Sequence, residues 1–261
     1  MMKKQLFWSI ITCIGCLLIL LMFACGDDLE DYDSSTDDDD YNTDDGDHSV
    51  PSGTALFERA LAEAVGKVPG EEITPDELAT VTHLTVPRPR DGAYGEWIDI
   101  NLLAHCINLK ALSLTGYAVD LSPLAGLPRL ERLNLSGGGI PDFQLLTGLA
   151  NLQQLDLSWN QLNDLTGLAG MIQLKVLDLH SNNLRDITPL TNLIKIDKLY
   201  LDRNMIVDLK PLVDNPGLVD DTREDFDWAG DTVTVSGNPL SDVSRNVYIP
   251  ALQARGVNVR H

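Results

Sequence analysis

Cysteine is nearly absent from this chain. Four occur in 261 residues, and Cys13, Cys16 and Cys25 fall within the first 25. Cys106 alone is left for everything downstream, so no disulfide framework holds the fold together. Basic residues are also scarce, with 19 Lys and Arg against 39 Asp and Glu, a net charge of −20. Even without residues 1–47 the chain carries −10, which disfavours nucleic acid and anionic lipid surfaces as ligands. Aromatic residues make up only 6%. One long apolar run exists, Leu6 to Phe23. No Gly-rich phosphate loop, H-E-x-x-H or nucleophile elbow is present, so no motif asks for a cofactor or names a reaction. The run Gly137-Gly138-Gly139 leads into Ile140 and not into a long helix, so it reads as a turn.

Leucine is abundant, and it is periodic. The pattern L-x-x-L-x-L-x-x-N, or a close variant, returns six times, with its fourth position at Leu112, Leu133, Leu155, Leu177, Leu199 and Val233, at steps of 21, 22, 22, 22 and 34 residues. A fixed period of this length predicts a solenoid, in which each unit buries its apolar face only against its neighbours. In the clearest copy, Leu155-Asp156-Leu157 alternates with period two and reads as a short strand. The apolar spacing then changes to three at Leu162, Leu165, Leu168 and Met171, which suits 3₁₀ turns on the opposite side of the coil. Pro123, Pro189 and Pro211 open such segments, where a missing N–H costs little. Asn160, Asn182, Asn204 and Asn238 share one position, where a buried amide can satisfy the backbone of neighbouring turns. Cys106 stands where other repeats have Leu127, Leu149, Met171 and Leu193, and is read as core.

These copies resemble the leucine-rich-repeat family, within it the 22-residue class of bacterial internalin-like and SDS22-like proteins, over about residues 78–259. The resemblance implies an α/β solenoid: a short-stranded parallel sheet on the concave face of an arc, 3₁₀ turns on the convex face, and partners bound by the concave side. Tyr117 and Gly138 replace asparagine, which predicts less regular stacking of the first repeats. An additional strand, Val81 to Val86, is matched by a turn at Trp97, Ile100, Leu103 and Cys106, which makes residues 87–96 an inserted loop. A second insertion, 219–232, is acidic. Helices are expected over Thr54–Val65, stopped by Gly66, and after the capping box Thr74-Pro75-Asp76-Glu77. At the other end a helix closed by Gly256 precedes a last strand, Val257–Val259.

Alternation fixes which residues face outward from the sheet. The first column holds Arg132, Gln154 and Lys198; the middle one Asn134, Asp156, Asp178 and Tyr200; the third His180 and Asp202. Trp159 and Arg203 join them as residue types suited to anchoring a partner, and Trp159 can either project or pack on the next repeat. Together these form the candidate partner-binding set. A metal or hydrolytic site could be drawn from Asp156, Asp178, His180 and Asp202, but solvated aspartates on this face are the favoured reading, and neither a metal site nor a catalytic site is expected.

The first residues read as an address. Met1-Met2-Lys3-Lys4, the apolar run and Leu21-Met22-Phe23-Ala24-Cys25-Gly26 resemble a bacterial lipoprotein signal, which implies cleavage before Cys25 and acylation of it. An uncleaved membrane anchor is the alternative, and either places the repeats away from the cytoplasm. Residues 27–47 hold twelve Asp or Glu and no Lys or Arg, a composition that cannot bury enough apolar surface to fold. The expected order is therefore a signal at 1–24, an acidic tether at 25–49, a helical cap at 50–80, repeats at 81–240 and a C-terminal cap at 241–261. The function expected is a membrane-anchored, non-enzymatic protein-binding module, with an envelope structural or glycan-binding role as the alternative.

Cys25→Ser should block lipidation and signal cleavage and leave a longer precursor. Mass spectrometry of the mature N-terminus decides it: a variant that still begins at residue 25 and carries acyl chains overturns the lipoprotein reading.

Overall fold

The computed structural model describes residues 52–89, 94–168, 170–219 and 231–261. Cys25, the acidic stretch before residue 48 and residues 220–230 of the second insertion lie outside them.

The strands are three residues each, in chain order β1 (His83–Thr85), β2 (Glu96–Ile98), β3 (Ala111–Ser113), β4 (Tyr117–Val119), β5 (Arg132–Asn134), β6 (Gln154–Asp156), β7 (Val176–Asp178), β8 (Lys198–Tyr200), β9 (Thr232–Thr234) and β10 (Asn258–Arg260). Eight of them make one parallel sheet in the order β1-β3-β5-β6-β7-β8-β9-β10. The pairing puts Leu84, Leu112, Leu133, Leu155, Leu177, Leu199, Val233 and Val259 in one row. All are buried, so the row is the sheet's contribution to a continuous core. The first and middle outward columns read from the sequence pair in register along the sheet.

A bend after each strand has no ladder of its own, and asparagine supplies one. Asn182 Oδ1 accepts from Leu162 N at 3.0 Å, while Nδ2 donates to Leu157 O at 2.9 Å and Leu179 O at 3.1 Å. Asn160 and Asn204 repeat this arrangement with Ile140 and Leu184, and Asn238 with Ile206. A buried amide with both ends paired removes the desolvation cost the turn would otherwise carry. On the convex side an exposed aspartate opens each turn. Asp99, Asp120, Asp142, Asp164, Asp186 and Asp208 each accept from the backbone N–H two residues on. The Ser122 and Thr188 hydroxyls first, and then these N–H groups, hold the carboxyls of Asp120 and Asp186 below the usual range, and the N–H and hydroxyl of Thr166 do the same for Asp164.

Some expectations need correction. Stacking of the first repeats stays regular, because Tyr117 does asparagine's work differently: it is buried, starts β4, and its hydroxyl donates to Pro87 O at 2.6 Å. Gly138 follows from this, since a Cβ there would lie 2.3 Å from Tyr117 O. Trp97 does not point inward but is 61% exposed, and Ile98 takes its place in the core. The strand β2 that carries them pairs with β4 in a second, two-stranded sheet, so the end of the first insertion is ordered structure and not loop. The last strand lies one residue later than expected, which puts Val259 inward and adds Arg260 to the middle column.

Helix α1 (Gly53–Val65) is capped by Ser52 and ends on left-handed Gly66, and buries Phe57 and Leu61 in the core. Helix α2 (Pro75–Leu78) carries the full capping box, with Glu77 bonded to Lys67 and to Thr74, which holds its carboxyl down to about 2. The turn at Pro211 is a short α-helix, α3 (Lys210–Asp214), rather than 3₁₀. A π-turn, Ser244–Tyr248, precedes α4 (Ile249–Gln253). Buried Ser244 bridges the chain there, accepting from Leu209 N and donating to Val207 O. Cys106 is buried in the core, and burial pushes its thiol up to about 11, the inert state read for it.

Leu177→Ala should cost about 2–5 kcal/mol through lost burial and a cavity. Asn182→Ala, which strands several buried backbone groups at once, should cost at least about 2 kcal/mol. Urea denaturation with exposed Asn183→Ala as control measures both; a loss at Asn182 no larger than at Asn183 would remove the ladder from the account of stability.

Candidate functional site

Residues of the middle outward column hydrogen-bond to the chain that follows their strands. Asn134 Oδ1 accepts from Ser136 N at 2.9 Å, Ser136 Oγ at 2.8 Å and Thr115 Oγ1 at 3.1 Å. Its Nδ2 donates to Asp156 Oδ2 at 3.0 Å. Asp156 Oδ1 in turn accepts from Ser158 N at 2.9 Å and Ser158 Oγ at 2.7 Å. Asp178 Oδ1 accepts from His180 N at 3.0 Å and from the His180 ring at Nδ1, 2.7 Å away. Asp202 accepts from Ser236 N at 2.7 Å and from the Thr234 hydroxyl, tying two repeats together across the second insertion. The aspartates that looked like free, solvated carboxylates thus hold the ends of their strands. Among the described residues no group of three metal-ligating side chains converges.

The electrostatics follow from crowding. Asp156 faces Asp178 in register. Burial first, and the Asp178 charge second, raise the Asp156 carboxyl to about 6, against the pull of Ser158. Burial disfavours the His180 cation, but the bond to Asp178 and the charges of Asp156 and Asp202 outweigh it, so its pKa rises. At the other end of the face, Arg132 Nη2 donates to His83 Nε2 at 3.2 Å. Burial and the nearby Arg132 and Lys110 charges depress the His83 pKa and keep the ring neutral.

The rim was not legible as such. The residue before the ladder position is left-handed in every full repeat: Gly116, Gly137, Trp159, Ser181, Arg203 and Gly237, with φ from 53° to 86°. Each donates its N–H to the third-column carbonyl of the next repeat where that bond is described, as Trp159 does to His180 O at 3.0 Å and Arg203 to Ser236 O at 2.7 Å. Glycine is the residue this backbone favours, and three copies have it. Trp159, Ser181 and Arg203 each accept a cost of roughly 1–2 kcal/mol instead. The glycines at matching positions were the available signal.

Trp159 is 56% exposed. Its ring meets His180 edge-on, with centroids 5.7 Å apart and planes at 86°. The Arg203 guanidinium carbon lies 5.9 Å from the Trp159 ring centre. Both readings of Trp159 therefore hold: it projects and it packs on the neighbouring repeat. Tyr200 and Lys198 are half-buried on β8, Gln154 and Arg132 half-buried on β6 and β5. The ring of Tyr94, from the first insertion, packs over Gly116 and Gly137, close enough that a Cβ on either would meet its Cδ1 at 3.1 or 3.3 Å.

Two outcomes test this geometry. Ser181→Gly should stabilise the fold by about 1 kcal/mol, since it relieves a left-handed residue and removes a buried hydroxyl that has no partner; a lower Tm would refute the strain. Asp156 has a folded pKa above its unfolded one, so the native state holds more protons between about pH 4 and pH 6, and stability falls as pH rises through that window. The raised His180 contributes stability that is likewise lost as pH climbs past its folded pKa. Asp156→Asn should flatten the slope of unfolding free energy against pH from 4 to 7, read in urea titrations at each pH; an unchanged slope sinks the assignment.

No protein-family model and no curated protein matches the sequence. Solved structures do. Internalin C2 of Listeria monocytogenes is 26% identical with a TM-score of 0.54, over 78% of this chain and 92% of that one. An internalin (inlF) of the same organism is 21% identical with a TM-score of 0.60, over 81% of this chain and 66% of its own. A leucine-rich-repeat protein of Leptospira interrogans is 18% identical with a TM-score of 0.51, over 72% of this chain and 52% of its own. The last two speak for the fold alone. With strands, turns and core in this register, the chain has the leucine-rich-repeat solenoid fold, similar to that of the internalins.

Proposed function

We propose that this is a non-enzymatic interaction module, lipid-anchored through Cys25 to a bacterial envelope membrane and facing away from the cytoplasm, that binds a protein on its concave face. The observation that carries the reading is Trp159. A large aromatic stands exposed at a backbone position suited to glycine, flanked by His180 and Arg203. Strain kept at a surface aromatic is better explained by recognition than by stability. Trp, Tyr and Arg are the residue types that dominate binding energy, and Trp159, Tyr200 and Arg203 sit within two repeats of one another. Asn134, Asp156 and Asp178 of the middle column, with Asp202 of the third, supply a polar floor. Its carboxylates are engaged with the backbone, which supports positioning over chemistry. The anchor rests on the sequence before residue 50. A glycan is the second reading, since an exposed tryptophan beside bonded carboxylates and His180 also suits a sugar ring.

Capture by cross-linking on intact cells should identify the partner. Against it, Trp159→Ala and Tyr200→Ala should each weaken binding by about 2 kcal/mol or more, while Asn192→Ala on the convex side changes little. A partner whose affinity ignores both, but is lost on deleting residues 220–230, moves the site to the acidic insertion. Binding to a glycan array and to no protein would favour the second reading.

A further inference from the structure

The concave face is not the only ordered surface. The flank through which the chain enters each strand carries two columns, and neither serves the face described above. Five residues before each inward leucine stand Ile107, Pro128, Ala150, Ile172 and Ile194, all exposed, the three isoleucines by 50–52%. Five successive apolar residues at one repeat position form a stripe, where a solvated flank would alternate or be charged. Two residues before each inward leucine stand Lys110, Glu131, Gln153, Lys175 and Asp197, adjacent along the sheet because the strands they precede are paired in register. Between the columns runs a groove of about 390 Å³ that reaches from Lys110 to Gln173.

The charge order along the second column is plus, minus, neutral, plus, minus. Its reversal is its own complement. A two-fold axis lying across the ladder at Gln153 reverses the order of the repeats and keeps each column facing itself. It sets Lys110 against the second copy's Asp197, Glu131 against Lys175, and Gln153 against Gln153. The same axis sets Ile107 on Ile194, Pro128 on Ile172 and Ala150 on Ala150, so the apolar stripes coincide with the smallest residue at the centre. Moving the axis half a repeat one way would bring Lys110 onto Lys175; the other way, Glu131 onto Asp197. Among registers that bring three or more of the five positions into contact, only the central one is free of like charges, and an isologous contact needs this kind of self-complementarity.

We propose that this flank is a homodimer surface, with two copies stacked antiparallel about the Gln153 repeat and their concave faces left open. At roughly 4.8 Å per strand the five-repeat ladder is about 20 Å long. That is the small end of dimer contacts, so association belongs in the micromolar range, and paired charges make it weaken with salt.

The test uses the chain from Ser49 to His261, which holds the whole described core. Sedimentation velocity from roughly 5 to 500 μM should show a reversible monomer–dimer equilibrium. Glu131→Lys alone and Lys175→Glu alone each create two repulsive pairs per dimer and should weaken it at least about tenfold. The double variant Glu131→Lys/Lys175→Glu restores every pair and should recover dimerisation to within about threefold. Ile172→Asp should abolish it, with circular dichroism confirming that each variant is folded. A chain that stays monomeric throughout, a dimer indifferent to Ile172→Asp, or single swaps that the double variant does not rescue would each overturn the proposal.

Discussion

The solenoid depends on one buried side-chain amide per turn. A coil of 22 residues that makes a three-residue strand must reverse direction through backbone that no ladder can satisfy. Asparagine is short enough to stay inside and carries an acceptor and two donors, so it meets an N–H of the preceding turn and carbonyls of both turns at once. The N–H it satisfies lies twenty residues away, which fixes the spacing between coils as well as the shape of each. Where Tyr117 replaces it, a longer side chain reaches Pro87 O instead, and the chain has to give up a side chain at Gly138 to let the Tyr117 carbonyl in. Two apparent defects in the repeat are thus one compensated substitution.

Fixing the turn in this way also fixes the residue before it in the left-handed region. Among the described residues that position is the one recurrent source of backbone strain, and the chain resolves it in two ways. Near both ends glycine occupies it without cost. In the centre Trp159, Ser181 and Arg203 occupy it at a cost. The strained copies lie beside the carboxylate-rich part of the sheet, where Asp156 and His180 are shifted by burial and by each other. Strain, crowded charge and exposed aromatic surface therefore coincide in the same three repeats, and this coincidence is what distinguishes a candidate site from a uniformly repeating face.

Carboxylates serve three separate ends in this fold. On the convex side they open the turns from solvent. On the concave side they close the strands from partial burial. On the entry flank Glu131 and Asp197 stand in one column with Lys110 and Lys175. An acidic composition thus does not imply an acidic binding surface, because much of the charge is committed to backbone hydrogen bonds.

Period and polarity by themselves determined the architecture. Leucine spacing set the strand register, because a one-residue slip would have turned every leucine of the row outward. The asparagine position set the turns, and the capping box set α2. Placement of Arg132, Gln154, Lys198, Asn134, Asp156, Asp178, Tyr200, His180 and Asp202 on one face followed from alternation alone. What these side chains do there did not. Trp97 and Ile98 exchanged roles because β2 pairs with β4, a contact between segments some twenty residues apart that no local period encodes. The left-handed rim, the engagement of the aspartates with strand-end N–H groups, and the meeting of Trp159 with His180 and Arg203 were decided only when successive coils stacked. They depend on distances between residues in different repeats, and a one-dimensional pattern fixes which residues share a column but not how far apart packing leaves their atoms.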